Sequence, residues 1–368
     1  MRSQWADITP WAVERAAPTP VFRQVYLQVR EAILSQALSP GARLPSSRQL
    51  SLRLRVARAS VVAAYEELLA EGYITGRSGS GTYVAEGLPT PAKVSRVRPH
   101  PAREANLPDH ARVFEQLLPT ARSTSTQPFT TGRTSVDNRT IAAWRRLSQR
   151  ALRDFGAVHL GYADPRGLSA LQAAVCDFLR AARAVRCEPD QIVITSGTQQ
   201  GIDLAIRVLL RPGDPVWLED PCYLLTHGAL VAAGMHPVPV PVDDQGMDVA
   251  AGLQRAPRAR AAYVTPSHQY PLGVTLAMPR RLALLDWAHR TGAWIIEDDY
   301  DAVFRYGGRP LASLQGLDEG QRVIYVGSLN KLLFPGLRLG YAVVPRALLP
   351  AFVNLRNLTD RHPPTFVQ

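Results

Sequence analysis

One lysine draws attention first. Of the 42 lysine and arginine residues in the chain, only Lys93 and Lys331 are lysine. An arginine stays charged, whereas a desolvated lysine can present a neutral, nucleophilic amine. Lys331 stands just beyond Val323–Val326, an apolar, β-branched and aromatic run that predicts a short buried strand ending at Gly327. A loop closed by Pro335 and Gly336 then leads to Arg338 and a second apolar run, Leu339 to Val344. Lys331 is therefore expected to be kept for its amine; a solvated, salt-bridged lysine is the plain alternative.

Other stretches carry groups suited to the same place. The run ITSGTQQGIDLAIRVLL reads as strand, small-residue turn and helix. There the backbone N–H groups of Gly197, Thr198 and Gln199 would face a phosphate at a helix N-terminus. Glu297, Asp298, Asp299 and Asp301 crowd the end of a buried run. So many carboxylates are costly there unless one of them meets a cation. The motif EDPCY sets Tyr223 just after a strand, and TPSHQYPLG brings His268 and Gln269 into a loop.

The elements that must position these groups alternate short β-rich runs with helical ones. Strands are expected at 192–195, 216–219, 236–240, 261–265, 294–297, 323–326 and 339–344, and helices at 199–210 and 279–290 among others. Such alternation predicts an α/β domain with a mostly parallel sheet and ligands at the strand ends.

On these residues the chain resembles the fold-type-I pyridoxal-phosphate (PLP) enzymes of the aminotransferase superfamily. The stretch SLNKLLFPGLRLGY is similar to their Schiff-base segment. The resemblance implies an α/β large domain with a seven-stranded sheet. It also implies that Lys331 holds the cofactor aldehyde and that Ser328 and Arg338 hold its phosphate with the turn Ser196, Gly197, Thr198 and Gln199. By the same resemblance Tyr223 stacks on the pyridine ring, and His268 and Gln269 lie beside ring and O3′. Asp298 keeps the ring nitrogen protonated, and Tyr300 contacts the O3′ side. Asn330 stands where many members have serine. GYADPRG, from Gly161, is similar to the substrate-side loop. The chain stops at Gln368, in RNLTDRHPPTFVQ, so the small C-terminal subdomain with its carboxylate-gripping arginine is expected to be missing.

The first part of the chain reads differently. Val21, Val25, Val29, Ile33 and Leu34 share one helical face, which Ser39-Pro40-Gly41 stops. Ser46 or Ser47 can cap a short helix through Leu54, a second helix runs from Ala59 to Glu71, and YITGRSGSGTYVA reads as two strands about a glycine-rich turn. Three helices and a hairpin describe a winged helix-turn-helix. The segment from Pro20 to Ala85 is similar to the GntR-type DNA-binding domain. That resemblance implies that Arg48, Arg58 and Ser60 face DNA and that Arg77 and Gly79 on the wing approach its backbone or minor groove. Val62 is apolar where some GntR proteins place a further polar reader.

Composition sets the outer bounds. Hydrophobic residues make up 46% and charged residues 20%, as in a globular protein. A formal net charge of +11 favours an anionic partner such as nucleic acid. Cys176, Cys187 and Cys222 are odd in number and lack metal spacing, which points to a reducing, cytoplasmic setting. No apolar run has membrane-spanning length. The expected layout is a tail over 1–18, the winged helix-turn-helix over 19–86, a proline- and arginine-rich linker over 87–126 that includes Lys93, and the PLP-binding domain over 127–368.

Joined in this order, the two modules resemble the MocR family of regulators. The resemblance implies a homodimer that binds double-stranded DNA and senses PLP or a small amino compound through Lys331. A PLP-dependent aminotransferase with an accessory DNA-binding domain is the other reading, and a colourless relic that only binds DNA is a third.

Overall fold

The computed structural model describes residues 11–77, 80–87, 134–301, 303–304 and 311–368. The chain divides into two compact units, Met1–Ala105 and Asn106–Gln368.

The first unit has helices α1 (Val21–Leu34), α2 (Ser47–Leu54) and α3 (Arg58–Ala70), then strands β1 (Ile74–Arg77) and β2 (Gly81–Val84). Helix α1 buries Val25, Tyr26, Val29, Ala32 and Ile33, and α3 buries Val61, Ala64, Tyr65 and Leu68. The expected helical face of α1 thus meets α3 in one core that also takes in Leu50, Ile74 and Val84. Ser46 and Gln49 cap α2 reciprocally, and Arg55 ends it in a left-handed conformation (φ 54°). Strands β1 and β2 pair antiparallel from Ile74↔Val84 to Arg77↔Gly81, as the wing requires. The stretch expected as a tail is anchored from Trp11 onward: Trp11 and Val13 pack against this core. Two α1 glutamines make that possible. Gln28 bonds both the N–H and the carbonyl of Ala12 (3.1 and 2.7 Å), and Gln24 does the same for Glu14 (2.9 Å each). Amide side chains offer donor and acceptor together, so they can satisfy an extended backbone that has no strand partner.

The second unit is built on an eight-stranded sheet. Its strands are β3 (Ile192–Thr195), β4 (Pro215–Asp220), β5 (His236–Asp243), β6 (Gly246–Met247), β7 (Ala261–Val264), β8 (Trp294–Asp299), β9 (Val323–Ser328) and β10 (Gly340–Val343), in the order β3-β10-β9-β8-β7-β4-β5-β6. The central pairings β9-β8-β7-β4-β5 are parallel, and β10 runs antiparallel between β3 and β9. All seven expected strands are present. The eighth, β6, has two residues and no periodicity to announce it. Before the sheet come α4 (Asn138–Arg153) and α5 (Ser169–Arg183), and between strands lie α6 (Thr198–Leu209), α7 (Leu224–Ala232), α8 (Val249–Arg255), α9 (Met278–Thr291) and α10 (Leu314–Leu317); α11 (Leu349–Asp360) follows β10. Ile202, Leu204, Ala205 and Ile206 of α6 and Phe352 of α11 cover one face of the sheet. Leu284, Leu285 and Trp287 of α9 cover the other, where Trp287 stacks on Trp217 of β4 at 4.0 Å. Both faces being covered explains why the strands read as continuous apolar runs.

One close approach decides where the strand ends sit. A β-carbon on Gly340 would lie 2.7 Å from the carbonyl carbon of Gly197 and 2.9 Å from the Gly327 oxygen, both backbone atoms. A Gly340→Ala substitution is expected to lower stability by about 1–3 kcal/mol, because neither neighbour can swing aside. Urea denaturation of the purified chain measures it.

Candidate functional site

The candidate residues converge where β4, β7, β8 and β9 end and α6 begins. Strand β8 runs through Asp299, so Glu297, Asp298 and Asp299 are its last three residues rather than a loop cluster. Side chains alternate along a strand. The pleat therefore separates Asp298 from its neighbours. Glu297 accepts from the N–H groups of Leu314 and Gln315 (2.8 and 2.9 Å). Asp299 accepts from Arg183 Nε (2.7 Å) and from the Tyr325 hydroxyl. Asp298 Oδ2 accepts from the Tyr263 hydroxyl at 2.7 Å, and among the described residues its buried Oδ1 has no hydrogen-bond partner. Burial pushes the carboxyls of Asp298, Glu297 and Glu219 each up to about 7.

A second group gathers at the start of α6. Gly197 precedes the helix with φ 85°, where a glycine is at ease, and no side chain caps the helix. The first-turn N–H groups of a helix have no intrahelical partner. A β-carbon on Gly197 would lie 3.2 Å from Arg338 Nη2 and 3.3 Å from Asn330 Nδ2. Arg338, left-handed at φ 54°, donates from Nη2 to the Ser196 carbonyl (2.9 Å). Ser328 Oγ accepts from the Asn330 N–H (3.1 Å), and Asn330 Oδ1 accepts from the Leu339 N–H (3.0 Å). The Ser196 N–H is held by Gln200 Oε1 (2.8 Å). Gln199 is tied by its amide to the Leu225 carbonyl (3.0 Å). Ser196, Gly197, Ser328 and Arg338, expected to act together, thus meet in one cradle, with Thr198 and Gln199 in the first turn of the helix behind it. Asn330, noted only as a departure, braces that cradle from the turn after β9.

Lys331 follows β9 in a half-buried turn. Among the described residues its ammonium makes no hydrogen bond or ion pair, although its charge draws down the Asp301 carboxyl that burial otherwise raises. His268 Nδ1 lies 3.0 Å from Asp301 Oδ1, so His268 is paired rather than free. Gln269 is turned into the protein, bonding Glu219, Pro221 and Tyr270. Three tyrosines line up edge to face: Tyr223 with Tyr270 at 5.5 Å, and Tyr270 with Tyr300 at 6.2 Å. Tyr162 of GYADPRG is 80% exposed and packs under the Arg361 guanidinium (4.2 Å). The structure does not bring it to the other residues.

The fit to PLP rests on what is orphaned and what is cradled. Asp298 Oδ1 is a buried acceptor without a donor, as a protonated ring nitrogen would need. The Gly197 turn, backed by Arg338, would accept a phosphate. Sequence reasoning missed Tyr263, Arg183 and Glu219. Tyr263 and Glu219 sit inside apolar strands and Arg183 is one of many arginines, so no local pattern marks them.

Three buried carboxyls with raised values have a consequence for pH. The folded chain holds their protons up to about pH 7, whereas the unfolded chain loses them near pH 4. Their contribution to stability is therefore full below the unfolded value and is lost as pH rises through about 7. The melting temperature of the cofactor-free protein is expected to fall between about pH 5 and pH 8, and Asp298→Asn should flatten part of that slope. A melting series over that range checks it.

In the first unit Arg48 is exposed on α2, and Arg58 and Ser60 occupy the first turn of α3. Arg58 Nε donates to Ser47 Oγ (3.2 Å), tying that turn to α2. Arg77 lies 4.8 Å over the Tyr83 ring and 3.3 Å from Glu86. Gly79 lies outside the described residues. Arg43, unforeseen, bridges to Tyr83 and lies against Gly81 at the wing.

The family described as aminotransferase class I and II matches residues 128–360, and that described as bacterial regulatory proteins, gntR family, matches 22–84. The probable rhizopine catabolism regulatory protein MocR of Rhizobium meliloti is 38% identical over 97% of this chain and 72% of its own length. The transcriptional regulator TauR of Rhodobacter capsulatus is 36% identical over 92% of this chain and 71% of its own length. An archaeal alanine:glyoxylate aminotransferase superposes with a TM-score of 0.59 at 30% identity, over 64% of this chain and 60% of that one. The chain thus spans about 60% of the length of that enzyme.

Proposed function

This chain belongs to the MocR family of GntR-type transcriptional regulators, and we propose that it binds DNA through its first unit in response to PLP and a small amino compound held in its second. The observation that carries this reading is the buried Asp298 oxygen without a partner, on the same strand ends as Lys331 and the Gly197 cradle. When bound, PLP supplies an aldehyde that a primary amine captures reversibly and a ring that withdraws electrons. The chain's own residues do the rest. Lys331 offers the amine. Asp298 Oδ1 accepts the ring N–H while Tyr263 fixes the other carboxylate oxygen. Arg338, Ser328 and the first turn of α6 hold the phosphate, and Tyr223 shields one side of the ring from water.

On the DNA side α3 would enter the major groove with Arg58 and Ser60 leading, Arg48 on the neighbouring phosphates and the wing alongside. Two copies would present paired α3 helices to paired half-sites. An Arg48→Ala substitution is expected to weaken binding to all duplexes alike and to reduce the salt-dependence slope by about 1. Fluorescence anisotropy across a salt series measures this.

The test of the cofactor site is the visible absorbance of the protein after addition of PLP and removal of excess. A visible band that borohydride reduction fixes to the Lys331 peptide supports the reading; colourless protein contradicts it. Sustained transamination of an added amino acid would mark an enzyme with an accessory DNA module instead.

A further inference from the structure

We propose that Glu219 is a positioning residue for the aromatic wall of the site: by gathering donors from the loop after β7 it ties that loop to its own and holds Tyr223 and Tyr270 at their mutual distance. The proposal rests on the PLP reading for the use of that wall, and on geometry alone for its construction.

Glu219 is the second-to-last residue of β4 and is 2% exposed. Strands β4 and β7 are parallel neighbours, with Leu218 level with Tyr263, so Glu219 is close to Thr265 across the pair. A single carboxylate oxygen, Oε2, accepts from the Thr265 N–H (3.2 Å), the Thr265 hydroxyl (2.6 Å) and Gln269 Nε2 (3.3 Å). The same Gln269 nitrogen donates its two protons to the carbonyls of Pro221 and Tyr270 (2.8 Å each), so its longer bond to Glu219 shares one of them. The Tyr270 N–H donates to Thr265 Oγ1 (3.1 Å). The circuit therefore starts at the end of β4, crosses to the end of β7, and returns to the residue that precedes Tyr223 by two. Tyr223 and Tyr270 leave this circuit from opposite sides and meet edge to face at 5.5 Å.

A carboxyl group suits the node because Oε2 accepts whether or not Oε1 carries a proton, and three donors converge on it. Among the described residues no cation joins the network, so the buried acid carries a desolvation cost that a purely structural position could avoid with an apolar residue. That cost is reasonable where the position of two rings depends on the bonds.

The experiment compares wild type, Glu219→Ala, Glu219→Gln and Thr265→Val, all as the full chain. Glutamine keeps an oxygen that can take the Oε2 place; alanine removes the node; valine removes one donor. Two readouts are taken. The first is the 19F spectrum of cofactor-free protein labelled with fluorotyrosine, with the Tyr223 and Tyr270 signals assigned from their phenylalanine variants. The second is the affinity for PLP, followed by its absorbance and induced circular dichroism. In the expected result alanine shifts both tyrosine signals and weakens PLP by about tenfold or more, as loss of a group that orients direct ligands does. Glutamine restores both readouts, and valine shifts the signals by less. Unchanged tyrosine signals in Glu219→Ala, or equal loss in the glutamine variant, would overturn the proposal. Wild-type protein that takes up no PLP would overturn the cofactor reading instead, and the 19F spectra of cofactor-free protein would still decide whether Glu219 sets the wall.

Discussion

Replacing Lys331 by arginine is expected to abolish the visible band that borohydride fixes to the chain in the PLP-loaded wild-type protein, while leaving the fold and cofactor-free DNA binding in place. Arginine keeps the positive charge and most of the stem, but its guanidinium does not lose a proton at any ordinary pH and cannot act as a neutral amine. The surroundings make this a clean substitution. Lys331 is half-buried in a turn and holds no hydrogen bond or ion pair among the described residues, so no bonded partner is orphaned. Asp301 keeps a cation nearby and keeps His268 at 3.0 Å. Non-covalent affinity through Arg338 and the α6 N-terminus should persist at a lower level, because those groups are untouched. An absorbance spectrum and borohydride fixation followed by peptide mapping read the outcome. A visible band of wild-type strength in Lys331→Arg would place the reactive amine elsewhere, and Lys93 is the other lysine of the sequence.

The largest effect on stability is expected at Arg183. Its side chain is 3% exposed and that of Asp299 is 2% exposed, and the pair is 2.7 Å apart. Arg183 also donates to the Leu311 carbonyl and to Ser267 Oγ, each at 2.6 Å. Among the described residues Asp299 Oδ1 already lacks a partner. Arg183→Leu would leave a buried carboxylate with only the Tyr325 hydroxyl, at a cost of roughly 3–5 kcal/mol. At about 2–4 °C per kcal/mol for a unit of this size, the melting temperature should fall by roughly 10 °C. Removing both charges, as in Arg183→Leu with Asp299→Leu, should recover much of the loss, because a buried pair exchanged for apolar groups is often close to neutral. Thermal unfolding of the two variants separates a paired charge from a packing contact. Equal losses in single and double variants would mean that the arginine stem, not its charge, holds the sheet.

How far the sequence could be read differs between the two kinds of contact. Elements were legible because their signals are local. The apolar runs at Ile192, Val323 and Leu339 are bounded by turn residues (Pro189 and Gly197, Gly320 and Gly327, Gly336 and Pro345), the Ser46–Gln49 cap is a four-residue pattern, and the wing follows from two short runs about glycines. The site residues of β9 and α6 were legible because they sit at element ends, where small residues and turns stand out. The carboxylates were read as one cluster, yet the pleat that separates Asp298 from Glu297 and Asp299 was present in the strand period. What could not be read is pairing across the sheet. Arg183 and Asp299 lie 116 residues apart, and Glu219 and Gln269 lie 50 apart. Nothing local tells Arg183 from the other arginines or Tyr263 from a core tyrosine. The anchoring of Trp11 and Val13 depends on Gln24 and Gln28 of α1, whose bonds reach 10 and 16 residues back along the chain and leave no local pattern.

The regulatory claim is tested most directly by DNA affinity. A duplex selected by the protein from a random pool would be titrated at one fixed salt concentration, with and without PLP, against wild type and Lys331→Arg. The expected result is a change in wild-type affinity of about 5–150-fold on adding PLP, the usual range of coupling between two sites, and no change in Lys331→Arg. Equal affinity with and without PLP, in wild-type protein whose absorbance shows the cofactor bound, would contradict it.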